Sequence, residues 1–218
     1  MSISRESFFE DILLTESKGE LITKLRGYLK KHPLDVPMFI KLGDTLREIG
    51  RPIEALEIHR KLIVSPTLRK SLRKRIMSSI VKDLFSASKL DIAIKKAEEL
   101  FAMDRLDPHS AKLLFDLYLA KDDHVKAFDF YAKYKNLLGH NPIMEMTLSA
   151  LAGDKLVKSG DERRGFTLLR ESVKNEKHSL AGLILLGEYY FDQKNFDEAV
   201  KYWTDALNIY PDFAYIVL

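Results

Sequence analysis

The residues best suited to acid–base chemistry are three pairs of neighbouring acids: Glu98 with Glu99, Asp122 with Asp123, and Asp161 with Glu162. General acid–base catalysis requires two carboxyl groups whose pKa values are pushed apart by different surroundings. The last two pairs fall where the helical pattern breaks, a position typical of helix caps and solvated turns. We therefore interpret them as structural charges and predict that the protein is not an enzyme.

Metal and cofactor chemistry finds no support in the sequence. Cysteine is absent, which excludes disulfides and thiolate metal sites. The histidines are scattered singly: His32, His59, His109, His124, His140 and His178. The glycines are isolated as well, so the sequence contains no glycine-rich phosphate-binding loop, and it has no hydrolase nucleophile elbow. We predict no metal, no cofactor and no small-molecule substrate.

A run of basic residues is the densest charge cluster of the chain: Arg69, Lys70, Arg73, Lys74 and Arg75. On a helix, Arg69 and Arg73 share one face with their neighbours Lys70 and Lys74. A solvated helix face explains this run most simply, because the net charge is only +3 over 218 residues. Binding of nucleic acid or of an anionic surface through residues 69–75 stays open as the alternative function.

The composition, with 46% hydrophobic and 31% charged residues, is that of a folded chain with a sizeable apolar core. No run of about 18 uncharged apolar residues occurs, and the N-terminal residues lack the basic and apolar regions of a signal sequence. The sequence therefore predicts a cytoplasmic protein. If the full-length protein carries an anchor, the inner face of the membrane is the expected location.

The clearest structural pattern lies in residues 180–211, where two amphipathic helices are predicted with a short turn between them. Apolar and small residues recur three, four and seven positions apart in both halves: Leu183, Leu186, Gly187 and Tyr190, then Ala199, Trp203, Ala206 and Leu207. Pro211 ends the second helix because it lacks the amide hydrogen that a helix requires. The order of these residues resembles the tetratricopeptide repeat, a helical hairpin with a period of about 34 residues.

One position of the second helix sets the register along the whole chain, and it is mostly occupied by a small residue: Leu21, Ala55, Ala93, Ala127, Gly165 and Ala199. Successive positions are 34, 38, 34, 38 and 34 residues apart. Four extra residues add about one helical turn and keep the apolar face aligned. We expect these extra turns around residues 68–72 and 138–143.

The register predicts an all-α fold, a right-handed superhelical solenoid of helical hairpins that forms a single domain over residues 1–218. Its parts are a degenerate first hairpin (1–33), five repeats (36–67, 74–105, 108–139, 146–175 and 180–211) and the start of a truncated repeat (212–218). The truncated end would leave an apolar face uncovered, so self-association through this face is expected. His59 occupies the position of Trp203 in the last repeat, and we predict a core residue rather than a ligand.

A narrower resemblance covers residues 28–105. Two groups of residues carry it: Leu42, Gly43, Arg47, Gly50, Ala55, Ile58, His59 and Leu62, then Asp83, Leu84, Ala93, Glu98 and Phe101. This segment resembles the bacterial lipopolysaccharide assembly protein B family, whose membrane anchor and rubredoxin-like zinc module do not occur in the sequence. The resemblance implies an adaptor that controls lipopolysaccharide synthesis in the bacterial envelope.

The first helices of such hairpins line a concave groove that usually binds peptides, and counting from the register gives the groove residues. The candidate partner-binding residues are Ile40, Asp44, Arg47, Lys82, Phe85, Lys112, Asp116, Leu119, Asp154, Val157, Ile184, Glu188 and Phe191. The acids among them would repel a C-terminal carboxylate, which disfavours a carboxylate clamp. We predict a non-enzymatic scaffold that binds a protein segment with basic and apolar residues, and we do not favour nucleic acid as the partner.

Overall fold

The structure is a computed structural model that describes Ile12, residues 17–174 and residues 179–213. This part of the chain contains eleven α-helices, one 3₁₀ turn (Pro211–Phe213) and no strand. In chain order the helices are α1 (Lys18–Lys31), α2 (Val36–Glu48), α3 (Pro52–Ile63), α4 (Lys70–Ser86), α5 (Leu90–Met103), α6 (Pro108–Ala120), α7 (His124–Leu138), α8 (Pro142–Lys158), α9 (Glu162–Glu171), α10 (Leu180–Asp192) and α11 (Phe196–Ile209). The predicted all-α class of repeated helical hairpins is confirmed.

The helices form two compact units, residues 1–117 (unit 1) and residues 118–218 (unit 2). In unit 1, α2 packs against α3 and α4 against α5, and the first helices α2 and α4 also touch. In unit 2, α8 packs against α9 and α10 against α11, and α8 touches α10 in the same way. Each unit therefore repeats one arrangement, in which the first helices of neighbouring hairpins lie side by side.

The four-residue insertions lie at the start of two first helices. Helices α4 and α8 contain 17 residues each, whereas α2, α6 and α10 contain 13. Helix α4 begins at Lys70 and α8 begins at Pro142. Each start lies one turn before the predicted first residue of its repeat, residue 74 or 146. The added turn precedes the apolar stripe, so the later residues of both helices keep their register.

The ends of the predicted array lie outside the described residues. The first half of the degenerate first hairpin falls in residues 1–16, of which only Ile12 is described, and most of the truncated last repeat falls in residues 214–218. Self-association through the last repeat and the continuity of the two units as one domain both stay predictions. None of the helices in the described ranges combines the length and the apolarity needed to cross a membrane.

The acidic residues of the turns cap helices. Asp123 accepts a hydrogen bond from the backbone amide of Lys126 at 3.2 Å, and Asp161 accepts one from Arg164 at 3.4 Å. These bonds satisfy amide groups that the first turn of a helix leaves without a partner. The interpretation of these acids as structural charges is consistent with this geometry.

The small register residues are where the two helices of a hairpin approach each other. Ala55 and Ala93 in unit 1 and Ala127 and Ala199 in unit 2 are fully buried. His59 is also fully buried, and its ring lies against Gly43, as the indole of Trp203 lies against Gly187. His59 is therefore a core residue at the position where the last repeat has a tryptophan.

The turn inside each of the five predicted repeats contains one residue in the left-handed conformation: Gly50, Ser88, Asp122, Gly160 and Lys194. Lys194 has a φ of 59° and an exposed side chain. For an L-residue this conformation costs about 1 to 2 kcal/mol, whereas glycine adopts it without strain but loses more entropy on folding. We expect Lys194→Gly to raise the free energy of unfolding by about 0.5 to 1 kcal/mol.

The measurement is urea denaturation followed by the fluorescence of Trp203, which lies in the hairpin that this turn closes. Lys194→Ala is the matched control, because it removes the same side chain and keeps the strain. Equal stabilities of the glycine and alanine variants would contradict the prediction.

Candidate functional site

The groove residues predicted in unit 1 have different surroundings. Ile40 is fully buried, so it belongs to the core and offers no surface to a partner. Phe85 is half exposed on α4. Lys112 and Asp116 are exposed on α6 and form an ion pair with each other at 2.9 Å. Of these residues, Phe85 is the one that presents an apolar surface.

Asp44 and Arg47 belong to a network that joins α2, α3 and α4. Arg47 lies 2.9 Å from one carboxylate oxygen of Asp44 and 2.9 Å from Oδ1 of Asp83. Asp83 is fully buried, and its Oδ2 lies 2.6 Å from Nδ1 of His59. An ionised carboxylate can only accept, so Nδ1 of His59 donates this bond. Burial alone would lower the pKa of Arg47, but the hydrogen bond and charge of Asp83 and the charge of Asp44 raise it.

The network also removes Asp44 from the free charges of the groove. Its carboxylate is paired with Arg47 and accepts a hydrogen bond from the hydroxyl of Ser79 at 3.0 Å. A carboxylate with a cation and a hydroxyl donor has less charge left to attract a basic ligand. The sequence analysis predicted that Asp44 is one of the acids that select a basic ligand. In the structure, the pairing with Arg47 offsets part of its negative charge.

A cavity of 370 Å³ lies beside this network, between α4 and the start of α6. Arg75, Ser78 and Lys82 line it from α4, and His109 lines it from α6. The hydroxyl of Ser78 lies 3.3 Å from Nε2 of His109. The lining is therefore rich in cations and hydrogen-bonding groups.

The basic run at residues 69–75 does not act as one face. Arg73 donates to the backbone oxygens of Ile63 and Ser65, both at 3.2 Å, and so holds the end of α3. Lys74 forms ion pairs with Asp104 and Asp107, both at 3.0 Å. Two of the five cations thus stabilise unit 1 itself, which weakens the case for a continuous phosphate-binding surface.

In unit 2 the predicted residues lie on α8 and α10, apart from Leu119 at the end of α6. Asp154 pairs with Lys158 at 2.8 Å on α8. The hydrogen bond with Asp154 raises the pKa of Lys158 most, and the charges of Glu188 and Asp192 on α10 raise it further. Three acids therefore act on one lysine, and we call Asp154, Glu188 and Asp192 the acidic surface of unit 2.

An exposed aromatic residue lies on the same helix as two of these acids. Phe191, between Glu188 and Asp192 in sequence, is 50% exposed. Its ring centroid lies 5.4 Å from that of Phe196 and 5.7 Å from that of Trp203, so the side chain packs against two aromatic residues of α11. A half-exposed, supported aromatic ring is the kind of anchor that partners bury.

The other predicted residues of unit 2 are less accessible. Leu119, Val157 and Ile184 are half-buried. Val157 lies close to Gly165 of α9, and the backbone oxygen of Ile184 accepts a hydrogen bond from the indole of Trp203 at 3.3 Å. These positions serve the contact within a hairpin at least as much as the groove.

Several residues of these sites were not among the predicted ones, including Asp83, His109, Lys158 and Asp192, and Arg75 was predicted only as part of the basic run. Asp83 could have been noticed, because it follows Ile76 and Ile80 at helical spacing and so places an acid on an apolar stripe. Lys158 has no such signal, since exposed helix faces are rich in cations.

Comparison with known proteins agrees with the fold. Residues 181–213 match the tetratricopeptide repeat family, a match that covers α10 and α11. The sequence matches no curated protein. Among the described residues, no group of three histidine, aspartate or glutamate side chains could hold a metal ion.

Three solved structures share the architecture. PilF of Pseudomonas aeruginosa is 17% identical, with 95% of this chain and 92% of that chain covered and a TM-score of 0.50. The MamA RS-1 ArsTM double mutant is 16% identical, with 78% and 94% covered and a TM-score of 0.55. YrrB, described as a TPR protein with an unusual peptide-binding site, is 12% identical, with 86% and 93% covered and a TM-score of 0.54. The last hairpin is thus a tetratricopeptide repeat, and the chain has the fold of such repeat proteins.

Proposed function

We propose that the protein is a non-enzymatic scaffold that binds a segment of a partner protein, and that the surface formed by α8 and α10 is a binding site. The observation that carries this proposal is the half-exposed ring of Phe191 on α10, the helix whose Glu188 and Asp192 act, together with Asp154 of α8, on Lys158. A segment with an apolar residue next to a lysine or arginine complements this surface in shape and charge. Proteins with tetratricopeptide repeats generally act as scaffolds, which supports the same conclusion.

The resemblance of residues 28–105 to lipopolysaccharide assembly protein B adds a narrower hypothesis. It proposes that the partner takes part in the control of lipopolysaccharide synthesis in the bacterial envelope. Affinity capture with the intact gene product, followed by mass spectrometry, identifies the partner. Recovery of proteins from an unrelated process, and of none from that pathway, would exclude the narrower role and leave the scaffold function in place.

Once the partner segment is identified, we expect Phe191→Ala to weaken binding by about 1 to 3 kcal/mol, because it removes an aromatic anchor that the bound segment buries. Val200→Ala is the control, since Val200 is exposed on α11, a helix to which none of Asp154, Glu188 and Asp192 belongs. Titration calorimetry measures both affinities. If Phe191→Ala remains folded by circular dichroism and binds as tightly as the parent, the segment binds elsewhere.

The acidic residues are expected to affect the rate of association more than the affinity. Asp154→Lys replaces the acid that pairs with Lys158 by a second lysine. The added positive charge should slow the association of a basic segment. Glu57→Lys makes the same change of charge at an exposed position of unit 1 and serves as the control. Stopped-flow measurements at low and physiological salt test this, and equal association rates for both variants would contradict it.

A further inference from the structure

Two basic side chains that line the cavity beside α4 take no part in the ion pairs and hydrogen bonds of the fold. Arg75 is exposed and Lys82 is half-buried, and neither has an ion-pair or hydrogen-bond partner within the described ranges. They are seven residues apart on one helix and so lie on the same face. Ser71 and Ser78, on the same face, add hydroxyl donors to the lining.

The acids that border the cavity are already paired. Asp44 is held by Arg47 and Ser79. Asp107 is held by Lys74 and accepts from the backbone amide of Ser110 at 3.2 Å. Arg47 and Lys74 each serve a second carboxylate as well, so they offset these two negative charges only in part. The lining itself has three cationic side chains and two acidic ones, a formal charge of +1, and Arg75 and Lys82 are the two cations without an acidic partner among the described residues.

An apolar group lies next to these cations. Phe85 follows Lys82 by three residues on α4 and is 49% exposed. Residues three apart on a helix are neighbours on its surface. A ligand that reaches the cavity can therefore place an apolar group on Phe85.

We propose that this cavity binds an acidic side chain within a partner segment, with the carboxylate between Arg75 and Lys82 and a following apolar residue on Phe85. Guanidinium and carboxylate form paired hydrogen bonds of matching geometry, and the hydroxyl of Ser71 can donate to the same group. The charge preference is opposite to that predicted from the sequence for the groove. This site shares no residue with the acidic surface of unit 2, so the two proposals can be tested independently.

The test uses a short synthetic peptide with glutamate next to leucine, acetylated and amidated so that it has no terminal charge. Its binding to the whole protein is measured by calorimetry. We expect the glutamate peptide to bind, and Arg75→Gln and Lys82→Gln each to weaken its binding tenfold or more. We expect both variants to keep the fold, because neither cation has an ion-pair or hydrogen-bond partner in the described part of the chain. Lys95→Gln, an equal change of charge on the exposed face of α5, should leave the affinity unchanged.

Two further ligands test which negatively charged group the cavity prefers: a side-chain carboxylate, a terminal carboxylate or a phosphate. A peptide with glutamine in place of glutamate and a free C-terminus carries a terminal carboxylate only, and inorganic phosphate carries no peptide. We expect both to bind at least tenfold more weakly than the glutamate peptide. Equal or tighter binding of either ligand, or unchanged affinity of the glutamate peptide for Arg75→Gln and Lys82→Gln, would overturn the proposal.

Discussion

Replacing Asp83 with alanine is expected to lower the free energy of unfolding by about 3 to 5 kcal/mol. Asp83 is fully buried and accepts from Arg47 of α2 and from His59 of α3, so one carboxylate on α4 joins three helices. The alanine variant leaves a buried imidazole N–H without its acceptor and a guanidinium with one carboxylate fewer. Most of the loss comes from these unpaired groups, because the desolvation of buried polar groups is no longer compensated.

Urea denaturation followed by far-ultraviolet circular dichroism measures this loss. Asp129→Ala is the matched control: Asp129 also pairs with an arginine, Arg164, at 2.6 Å, but both side chains are about half exposed. An exposed ion pair contributes about 0 to 1 kcal/mol, so this variant should unfold close to the parent. If Asp83→Ala and Asp129→Ala lose equally little stability, the network does not hold the three helices together.

The second large effect is expected for Gly165→Ala, which should destabilise the protein by about 3 kcal/mol. A Cβ at Gly165 would lie 2.6 Å from the backbone oxygen of Gly153 and 2.7 Å from the backbone nitrogen of Val157. Both atoms belong to the main chain of α8, so no change of side-chain rotamer relieves the contact. Helices α8 and α9 must move apart, and overpacking of this kind costs about 1 to 3 kcal/mol or more.

Gly27→Ala is the control for this change, since it makes the same substitution inside a helix and has nothing within 4 Å of the new Cβ. Alanine has the higher helix propensity, so Gly27→Ala should stabilise the protein by up to about 1 kcal/mol. The fluorescence of Trp203 in unit 2 follows the unfolding of Gly165→Ala, and circular dichroism follows Gly27→Ala. The expected result is two effects of opposite sign, and a neutral or stabilising Gly165→Ala would show that the helices can adjust.

The sequence alone determined the helical hairpins and their register. Apolar residues at helical spacing define one face of each helix, and Ala55, Ala93, Ala127 and Ala199 mark the same position of successive second helices. This information is local, because the period of a helix fixes which residues share a face whatever the rest of the chain does. The burial of His59 followed from the same register.

Tertiary structure alone decided which charges are free. Lys74 and Arg75 are neighbours in one basic run, yet Lys74 is paired with residues of the connection before α6, and Arg75 faces the cavity. Asp44 and Asp154 share a repeat position, but Asp44 is held by the buried network and Asp154 by Lys158 on its own helix. The period of a helix does not contain these distinctions, because the pairing of charges depends on distances between helices, and the packing of side chains in the assembled units sets those distances.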